Sequence, residues 1–189
     1  MTAVQVKHER HWLPHEPQWT VDDLDELPDD GFQYELFDGV LVVSPAPVPT
    51  HQLAVVGLVV ALRDVCPPEL QVFVAPLDFR PSRIRSFQPD VLVARRDRIG
   101  AKNLTYPPVL AVEVLSPSTR SKDLVMKRHA YATSNVPHFW TFDPDGPDFA
   151  AYALVDGEYK RVAQASGPER VELAEPYPVV ICPDEVAAG

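Results

Sequence analysis

The segment from Val109 to Leu115 constrains the fold more than any other part of the chain. It reads Val-Leu-Ala-Val-Glu-Val-Leu, so every position except Glu113 is apolar. A strand that is apolar on both faces is typical of the centre of a sheet covered on both sides. The segment therefore predicts an α/β fold with a central sheet flanked by helices.

Local patterns predict the elements around this strand. Asp38-Gly39 between two apolar runs predicts an N-terminal β-hairpin, because both residues suit the positive φ angles of a type I′ turn. Thr20 is predicted to cap a short helix. The other predicted elements are strands at 72–77, 90–94 and 138–142, a helix near 122–133, and a hairpin that pairs 150–154 with 159–162. Their order predicts a mixed sheet.

Two further predictions concern the segments before and after Pro67-Pro68. Thr50 is the expected N-cap of a helix that runs to about Val65. The spacing of its apolar residues predicts one apolar stripe along this helix. That stripe comprises Leu53, Val56, Gly57, Val60 and Ala61. After the prolines, the arginine-bearing stretch around Pro81 is predicted to be a loop between two strands.

Length and composition predict one ordinary globular domain. The chain has 189 residues, and we expect an N-terminal extension at 1–19 followed by a domain at 20–189. The longest apolar run, 53–62, is too short to cross a bilayer, and the first residues have no apolar signal core. We therefore expect a cytoplasmic protein without a membrane partner.

Charge is distributed unevenly along the chain. The formal net charge is -10, but residues 80–128 hold 11 of the 17 lysines and arginines and four acids, a local charge of +7. A basic segment within an acidic protein is compatible with a surface that faces phosphates. It is equally compatible with solvated loop arginines.

The carboxylates of Glu113 and Asp90 are the first candidates for chemistry. Burying an unpaired carboxylate is costly, so such a group is usually paired, protonated or bound to a metal. Asp90 precedes a second apolar strand, and two carboxylates at the ends of neighbouring strands can converge on one hard cation. Magnesium suits such a pair because it needs few protein oxygens. A structural salt bridge at Glu113 is the alternative.

An ordered series of motifs resembles the PD-(D/E)xK nuclease superfamily and, within it, the Uma-type putative restriction endonuclease family. The series covers roughly residues 20–185. Its motifs are Tyr-Glu-Leu-Phe-Asp-Gly at 34–39, Ser-Pro-Ala-Pro at 44–47, His51, Ala-Pro-Leu-Asp at 75–78, Gln-Pro-Asp-Val at 88–91, Val-Glu-Val-Leu-Ser-Pro-Ser-Thr at 112–119, Asp-Leu at 123–124, Lys127, Tyr131 and Val-Pro-His-Phe-Trp at 136–140.

The resemblance implies a restriction-endonuclease-like core in which Asp90 and Glu113 bind Mg²⁺ or Mn²⁺. In the superfamily a catalytic lysine stands two places after the glutamate, but here that position is Leu115. The Uma-type pattern implies that Lys127, on the next helix, takes this role. By the same resemblance, Glu35 is a third acidic member of the site, although an exposed hairpin position explains this residue equally well.

Four further residues are secondary candidates. His51 could contact phosphate or a metal-bound water, although a histidine at a helix start is more often solvated or hydrogen-bonded locally. Asp78 could orient a metal ligand through a hydrogen bond. Asp123 lies four residues before Lys127 and shares its helix face, although a surface ion pair explains that spacing equally well. Lys122 is a second candidate for the catalytic cation.

The resemblance implies a DNA endonuclease, and a homodimer is expected because cutting two strands commonly uses two active sites. Leu115 and the acidic total charge favour an inactive binding or assembly module with the same fold. Asp90, Glu113 and Lys127 in a basic segment favour the enzyme. A metal-dependent hydrolase of a small phosphorylated substrate is a third possibility.

Overall fold

The computed structural model describes residues 18–116 and 122–189, with the backbone alone at 122 and 123. Almost all of the predicted extension at 1–19 lies outside these ranges. The elements, in chain order, are α1 (Val21–Leu24), β1 (Gln33–Phe37), β2 (Val40–Ser44), α2 (Pro49–Asp64), β3 (Leu70–Val74), β4 (Phe79–Ser82), β5 (Arg85–Phe87), β6 (Val91–Arg95), a 3-10 turn (Arg96–Arg98), β7 (Leu110–Val114), α3 (Lys122–Thr133), β8 (His138–Asp143), β9 (Asp148–Val155), β10 (Glu158–Ser166), β11 (Val171–Leu173), β12 (Val179–Ile181) and α4 (Pro183–Ala188).

A six-stranded mixed sheet forms the centre of the fold, in the order β10-β9-β8-β7-β6-β3. Strands β7 and β8 are parallel, and the other neighbours are antiparallel. Strand β7 is an interior strand, as its apolar sequence predicts. Two smaller sheets accompany this one, a four-stranded sheet in the order β2-β1-β5-β4 and the pair β11-β12. The predicted fold class, a mixed α/β sheet with helices on its faces, is confirmed.

Each face of the central sheet packs against a different layer. Val112 of β7 joins Val91 and Val93 of β6 in a core with Leu58 and Leu62 of α2. The opposite face packs against α3 and the aromatic residues of the four-stranded sheet. The buried members of that second core include Phe37, Phe79, Phe87, Leu92, Ala111, Tyr131 and Phe139.

Three local predictions match the structure closely. Asp38 and Gly39 have φ angles of 51° and 80°, and they join β1 to β2 in the expected hairpin. Thr20 caps α1 and exchanges hydrogen bonds with Asp23 in a capping box. Helix α3 spans Lys122–Thr133, the range that its sequence predicts.

The predicted start and buried face of α2 are wrong. The helix begins at Pro49 after an N-cap at Val48, because proline suits the first helical position, where no backbone N–H is needed. Of the predicted stripe, Leu53, Val56 and Val60 are exposed by 47%, 51% and 52%. The residues that α2 buries are His51, Ala54, Val55, Gly57, Leu58 and Leu62. The helix is apolar around most of its circumference, so spacing alone does not determine which side faces the sheet.

The predicted loop around Pro81 is also wrong, since it contains strands β4 and β5. Phe79 and Phe87 lie opposite each other and are fully buried. Pro81 is tolerated because β4 is the edge strand of its sheet. The small sheet β11-β12 and helix α4 were not predicted. No helix in the described ranges is long and apolar enough to span a membrane.

Candidate active site

Asp90 and Glu113 lie side by side at one end of the central sheet. Val91 of β6 pairs with Val112 of the antiparallel β7, so the same register places Asp90 across from Glu113. The backbone N–H of Val114 donates to Asp90 Oδ2 at 2.8 Å. This bond fixes the aspartate against the strand that carries the glutamate.

Helix α3 supplies the partners of Glu113. Lys127 and Tyr131 are four residues apart and therefore lie on one face of the helix. Lys127 Nζ is 2.7 Å from Glu113 Oε2, and the Tyr131 hydroxyl donates to Glu113 Oε1 at 2.6 Å. Both oxygens of the Glu113 carboxylate are thus held by α3.

Glu35 reaches the same ammonium group from strand β1. Its Oε2 atom is 3.3 Å from Lys127 Nζ, and its Oε1 atom accepts a hydrogen bond of 2.8 Å from the backbone N–H of Gln88. Glu35 and Glu113 are both buried. The structure therefore brings together four predicted residues, with Lys127 between two carboxylates and Asp90 beside Glu113.

His51 lies next to Asp90, in the first turn of α2. Its Nε2 atom is 3.4 Å from Asp90 Oδ2. The Nδ1 atom is buried and has no hydrogen-bond partner among the described residues. His51 therefore contacts a predicted metal ligand and is closer to the site than a solvated helix-start histidine would be.

Asp78 contacts the site only indirectly. Its carboxylate accepts hydrogen bonds from the Arg80 guanidinium at 2.6 and 2.9 Å and from Gln88 Nε2 at 2.7 Å. Gln88 in turn donates its backbone N–H to Glu35. The backbones of Lys122 and Asp123 belong to α3, but their side chains lie outside the described residues.

A cavity of about 230 Å³ opens over these groups. Its lining includes Glu35, His51, Asp90, Glu113 and Lys127. The segment 44–48 between β2 and α2 forms another part of the wall. The candidate residues thus share one solvent-accessible space.

Three carboxylates and one ammonium group determine the electrostatics. Burial has the largest effect on the pKa of Glu113 and raises it. The charge of Lys127 lowers this pKa, and the charges of Asp90 and Glu35 raise it, so that the pKa is about 7. Burial lowers the pKa of Lys127, but Glu113, Glu35 and Asp90 together hold it above its ordinary value. The lysine therefore stays charged, and the cluster carries excess negative charge when all three acids are ionised.

The two neighbouring titratable groups respond to the same charges. Burial lowers the pKa of His51, but the hydrogen bond to Asp90 and the charges of Asp90 and Glu113 raise it above its ordinary value overall. Burial and the negative charge of Glu113 raise the pKa of Tyr131. Tyr131 thus remains a neutral hydrogen-bond donor.

The donor set fits a hydrated hard cation. Within residues 18–116 and 122–189, no three His, Cys, Asp or Glu side chains converge as a metal-binding group, so the site lacks the closed set of protein ligands typical of structural zinc. Magnesium needs only one or two carboxylates and keeps several waters. The contacts of Asp90 with Val114 and His51 both use Oδ2, so a cation could approach Oδ1 without displacing either. The excess of carboxylates over the Lys127 ammonium favours such an ion.

The basic segment at 80–128 does not present all of its charges to solvent. Four arginines in the described part of this segment contact acids, most of which come from the acidic remainder of the chain. The pairs are Arg80 with Asp78 and Asp25, Arg83 with Asp22, Arg85 with Asp38, and Arg95 with Asp97. These contacts reduce the positive charge available to phosphates.

The structure adds Tyr131 and Gln88 to the predicted site residues. Tyr131 lies four residues after Lys127, and this helical spacing was a signal in the sequence. An aromatic residue at helical spacing is ordinarily part of a core, and Tyr131 is indeed fully buried. No local pattern indicates that the backbone of Gln88 holds Glu35, because the two residues are 53 positions apart.

Comparisons with known proteins agree with this architecture. The model of the Uma2 family, described as "Putative restriction endonuclease", matches residues 21–183, a span that contains every candidate site residue. The search of curated proteins finds no match. Among solved structures, the chain is similar to one described as a "putative nuclease belonging to DUF820" from Anabaena variabilis. The TM-score is 0.67 at 17% identity, over 89% of this chain and 97% of that one. The likeness shows a shared fold.

Proposed function

The chain belongs to the Uma2 family, and from this premise we propose that it is a DNA endonuclease that depends on Mg²⁺ or Mn²⁺ held by Asp90 and Glu113. One observation carries the proposal: Lys127 Nζ lies 2.7 Å from Glu113 Oε2. The nuclease signature has a lysine two places after the glutamate, where this chain has Leu115. Lys127 supplies an ammonium group to the Glu113 carboxylate from α3 instead.

The protein groups around the two ligands prepare the site for catalysis. When bound, the ion would polarise the scissile phosphate and lower the pKa of the attacking water. The N–H of Val114 orients Asp90, and Tyr131 orients Glu113. Ligands held in this way need little rearrangement when the substrate arrives.

The role that we assign to Lys127 is electrostatic. Its pKa is raised by three surrounding carboxylates, so it is protonated at neutral pH and is a poor general base. An ammonium group preorganised beside the phosphate stabilises the negative charge that develops in the transition state. Glu35, 3.3 Å away, holds the ammonium group in place.

One observation favours the alternative of an inactive nuclease-fold module. Both oxygens of Glu113 already have partners, Lys127 and Tyr131, so the cluster could persist as a buried ion pair without a metal. The paired arginines of the basic segment also suit a weaker attraction to DNA. In this alternative the protein would bind a partner or assemble, and divalent ions would have no effect.

A plasmid assay separates these functions. Supercoiled DNA is incubated with wild type, Glu113→Gln and the exposed control Glu158→Gln, with Mg²⁺, Mn²⁺ or EDTA. We expect metal-dependent nicking by wild type and Glu158→Gln and none by Glu113→Gln. No nicking by a folded wild type would favour the inactive module.

Two further parts of the proposal have tests of their own. A parallel assay with a small phosphomonoester tests the third possibility, and we expect no hydrolysis. The homodimer remains a prediction, which sedimentation of the wild type with and without DNA would check. The cytoplasmic location also remains a prediction.

A further inference from the structure

A second cavity, of about 510 Å³, adjoins the active-site cavity. The two share Gln33, Ala46, Pro47 and Asp90 as lining residues. Its volume lies within the range of about 300–1,000 Å³ that is typical of small-molecule sites. A ligand in this space would therefore be continuous with whatever lies over Asp90.

The walls of this second cavity combine apolar surface with amide groups. Apolar side chains come from α1, α2 and the β3-β4 connection, among them Leu24, Val55 and Pro76. Two glutamines outside the shared wall, Gln52 and Gln88, add polar groups. Such a lining suits a mostly apolar ligand with a few hydrogen-bonding atoms.

Gln88 supplies an unused hydrogen-bond acceptor. Its Nε2 atom donates to Asp78 Oδ1 at 2.7 Å, and a carboxylate only accepts, so the orientation of the amide is fixed. The Oε1 atom is buried and has no hydrogen-bond partner among the described residues. A buried acceptor without a partner is costly. Gln88 lines the second cavity, so a ligand that shifts this side chain slightly and brings an N–H donor would satisfy the acceptor.

The charges of this second cavity disfavour a phosphate. Asp29, Asp78 and Asp90 line it together with one cation, Arg80. The Arg80 guanidinium is already bonded to Asp78 and to Asp25. A neutral ligand with N–H donors fits this environment better than an anion.

We propose that this second cavity is a nucleobase-binding site for the nucleotide next to the scissile bond. The proposal rests on the nuclease function proposed above, because the phosphate of that nucleotide would lie over Asp90 while its base enters between the apolar walls. Every DNA base is a neutral planar ring with an N–H donor on its pairing edge. Gln88 Oε1, which has no partner among the described residues, would accept a hydrogen bond from that donor.

The site implies a preference for unpaired DNA. A base in a duplex is stacked and paired, so it must leave the helix before it can enter a pocket of this kind. The substrate class that the cavity fits is therefore single-stranded or locally opened DNA.

The test combines a missing base with a missing amide. We would prepare a set of single-stranded oligonucleotides, each with one abasic site at a different position. The affinity of full-length Glu113→Gln for each oligonucleotide is measured by titration in the presence of Mg²⁺. The same titrations are made with Gln88→Leu and Gln71→Leu, each added to Glu113→Gln. Gln71 is the matched control, because it is also half-buried and donates through Nε2, to Val72 O, but it does not line the second cavity.

We expect one abasic position to weaken binding about tenfold, since base contacts of this kind contribute on the order of 1–3 kcal/mol. The penalty should fall below about threefold in Gln88→Leu and stay near tenfold in Gln71→Leu. An equal penalty in both variants, or none at any position, would overturn the proposal. If Gln88→Leu does not fold, Gln52→Leu, on the exposed side of α2, takes its place.

The outcomes also distinguish this proposal from the nuclease function. Metal-dependent nicking by wild type without any base-dependent binding overturns the nucleobase site alone. Base-dependent binding without nicking by wild type supports the nucleobase site and removes the cleavage reaction.

Discussion

The two faces of strand β7 bury different chemistry. Toward α2, Leu110, Val112 and Val114 belong to a continuous core of buried apolar and aromatic side chains. Toward α3, Glu113 meets a lysine and a tyrosine hydroxyl. The first face is what a stable sheet needs, since each buried aliphatic side chain contributes about 1.5–3 kcal/mol.

The second face is not what stability alone would select. Replacing a buried ion pair with apolar residues of similar volume is often neutral or stabilising by about 1–4 kcal/mol. An aliphatic residue at position 113 would therefore suit the core at least as well. We propose that the charged cluster serves chemistry, and the following predictions test this difference between the two faces.

Removal of the Lys127 charge should have the largest effect. Lys127→Met keeps an unbranched side chain but loses the ammonium group, so cleavage should fall about 10²–10³-fold, the usual loss of one preorganised transition-state contact. The measurement is the rate of plasmid nicking at saturating Mg²⁺. Lys160→Met, at an exposed position on β10, is the matched control and should keep the wild-type rate; equal rates for both variants would contradict the role of Lys127.

A cavity in the apolar face should destabilise the fold without changing the chemistry. Leu58 is fully buried against the sheet, so Leu58→Ala should lower the free energy of unfolding by about 2–5 kcal/mol. Glu113→Gln should cost less, because Lys127 keeps Glu35 as a partner. Urea unfolding of both variants is the measurement. A larger loss for Glu113→Gln would mean that the charged cluster is mainly structural.

Loss of the Tyr131 hydroxyl should weaken metal binding while the fold persists. Tyr131→Phe removes the bond that orients Glu113, and loss of such a partner typically costs about 10–100-fold in metal affinity. Titration calorimetry with Mn²⁺ measures this change. Tyr159→Phe is the control, because Tyr159 is also buried but its hydroxyl donates to Val136 O; the same loss in this variant would point to general loosening.

The smallest predicted effect is a pH dependence of stability. The pKa of Glu113 is raised to about 7 in the folded protein, from 4.5. Between these values the folded state binds more protons than the unfolded state, so the contribution of Glu113 is present below pH 4.5 and is lost as the pH rises through about 7. The difference in unfolding free energy between metal-free wild type and Glu113→Gln should therefore decline across this range; a flat difference would mean that Glu113 is ionised throughout.

Sequence reasoning succeeded where a local rule decides the structure. Asp38-Gly39 indicates a hairpin turn, and the apolar residues on both sides of Glu113 indicate an interior strand, because both predictions use neighbouring residues alone. The face of α2 could not be predicted in this way. Leu53 and Leu58 are equally apolar, and only the position of the sheet and of α4 decides which of them is buried.

The candidate site shows the same limit. The Uma-type pattern has a lysine at position 127, on the helix after the Glu113 strand, so the resemblance could anticipate the contact between Lys127 and Glu113. The contact of Glu35 with Gln88 joins two segments that are 53 positions apart in sequence. The ion pairs of Arg80 with Asp25 and of Arg85 with Asp38 also join distant segments. The arginines and Pro81 by themselves indicated a loop, because the partners of these strands are remote in sequence.

Metal binding by the wild-type protein tests the central claim most directly. Titration calorimetry with Mg²⁺ and Mn²⁺ would compare wild type with Asp90→Asn and Glu113→Gln, each verified to be folded, at a pH above 7, where Glu113 is ionised. We predict one binding site in wild type that both substitutions abolish. No binding by wild type, or equal binding by all three proteins, would contradict the assignment of Asp90 and Glu113 as metal ligands.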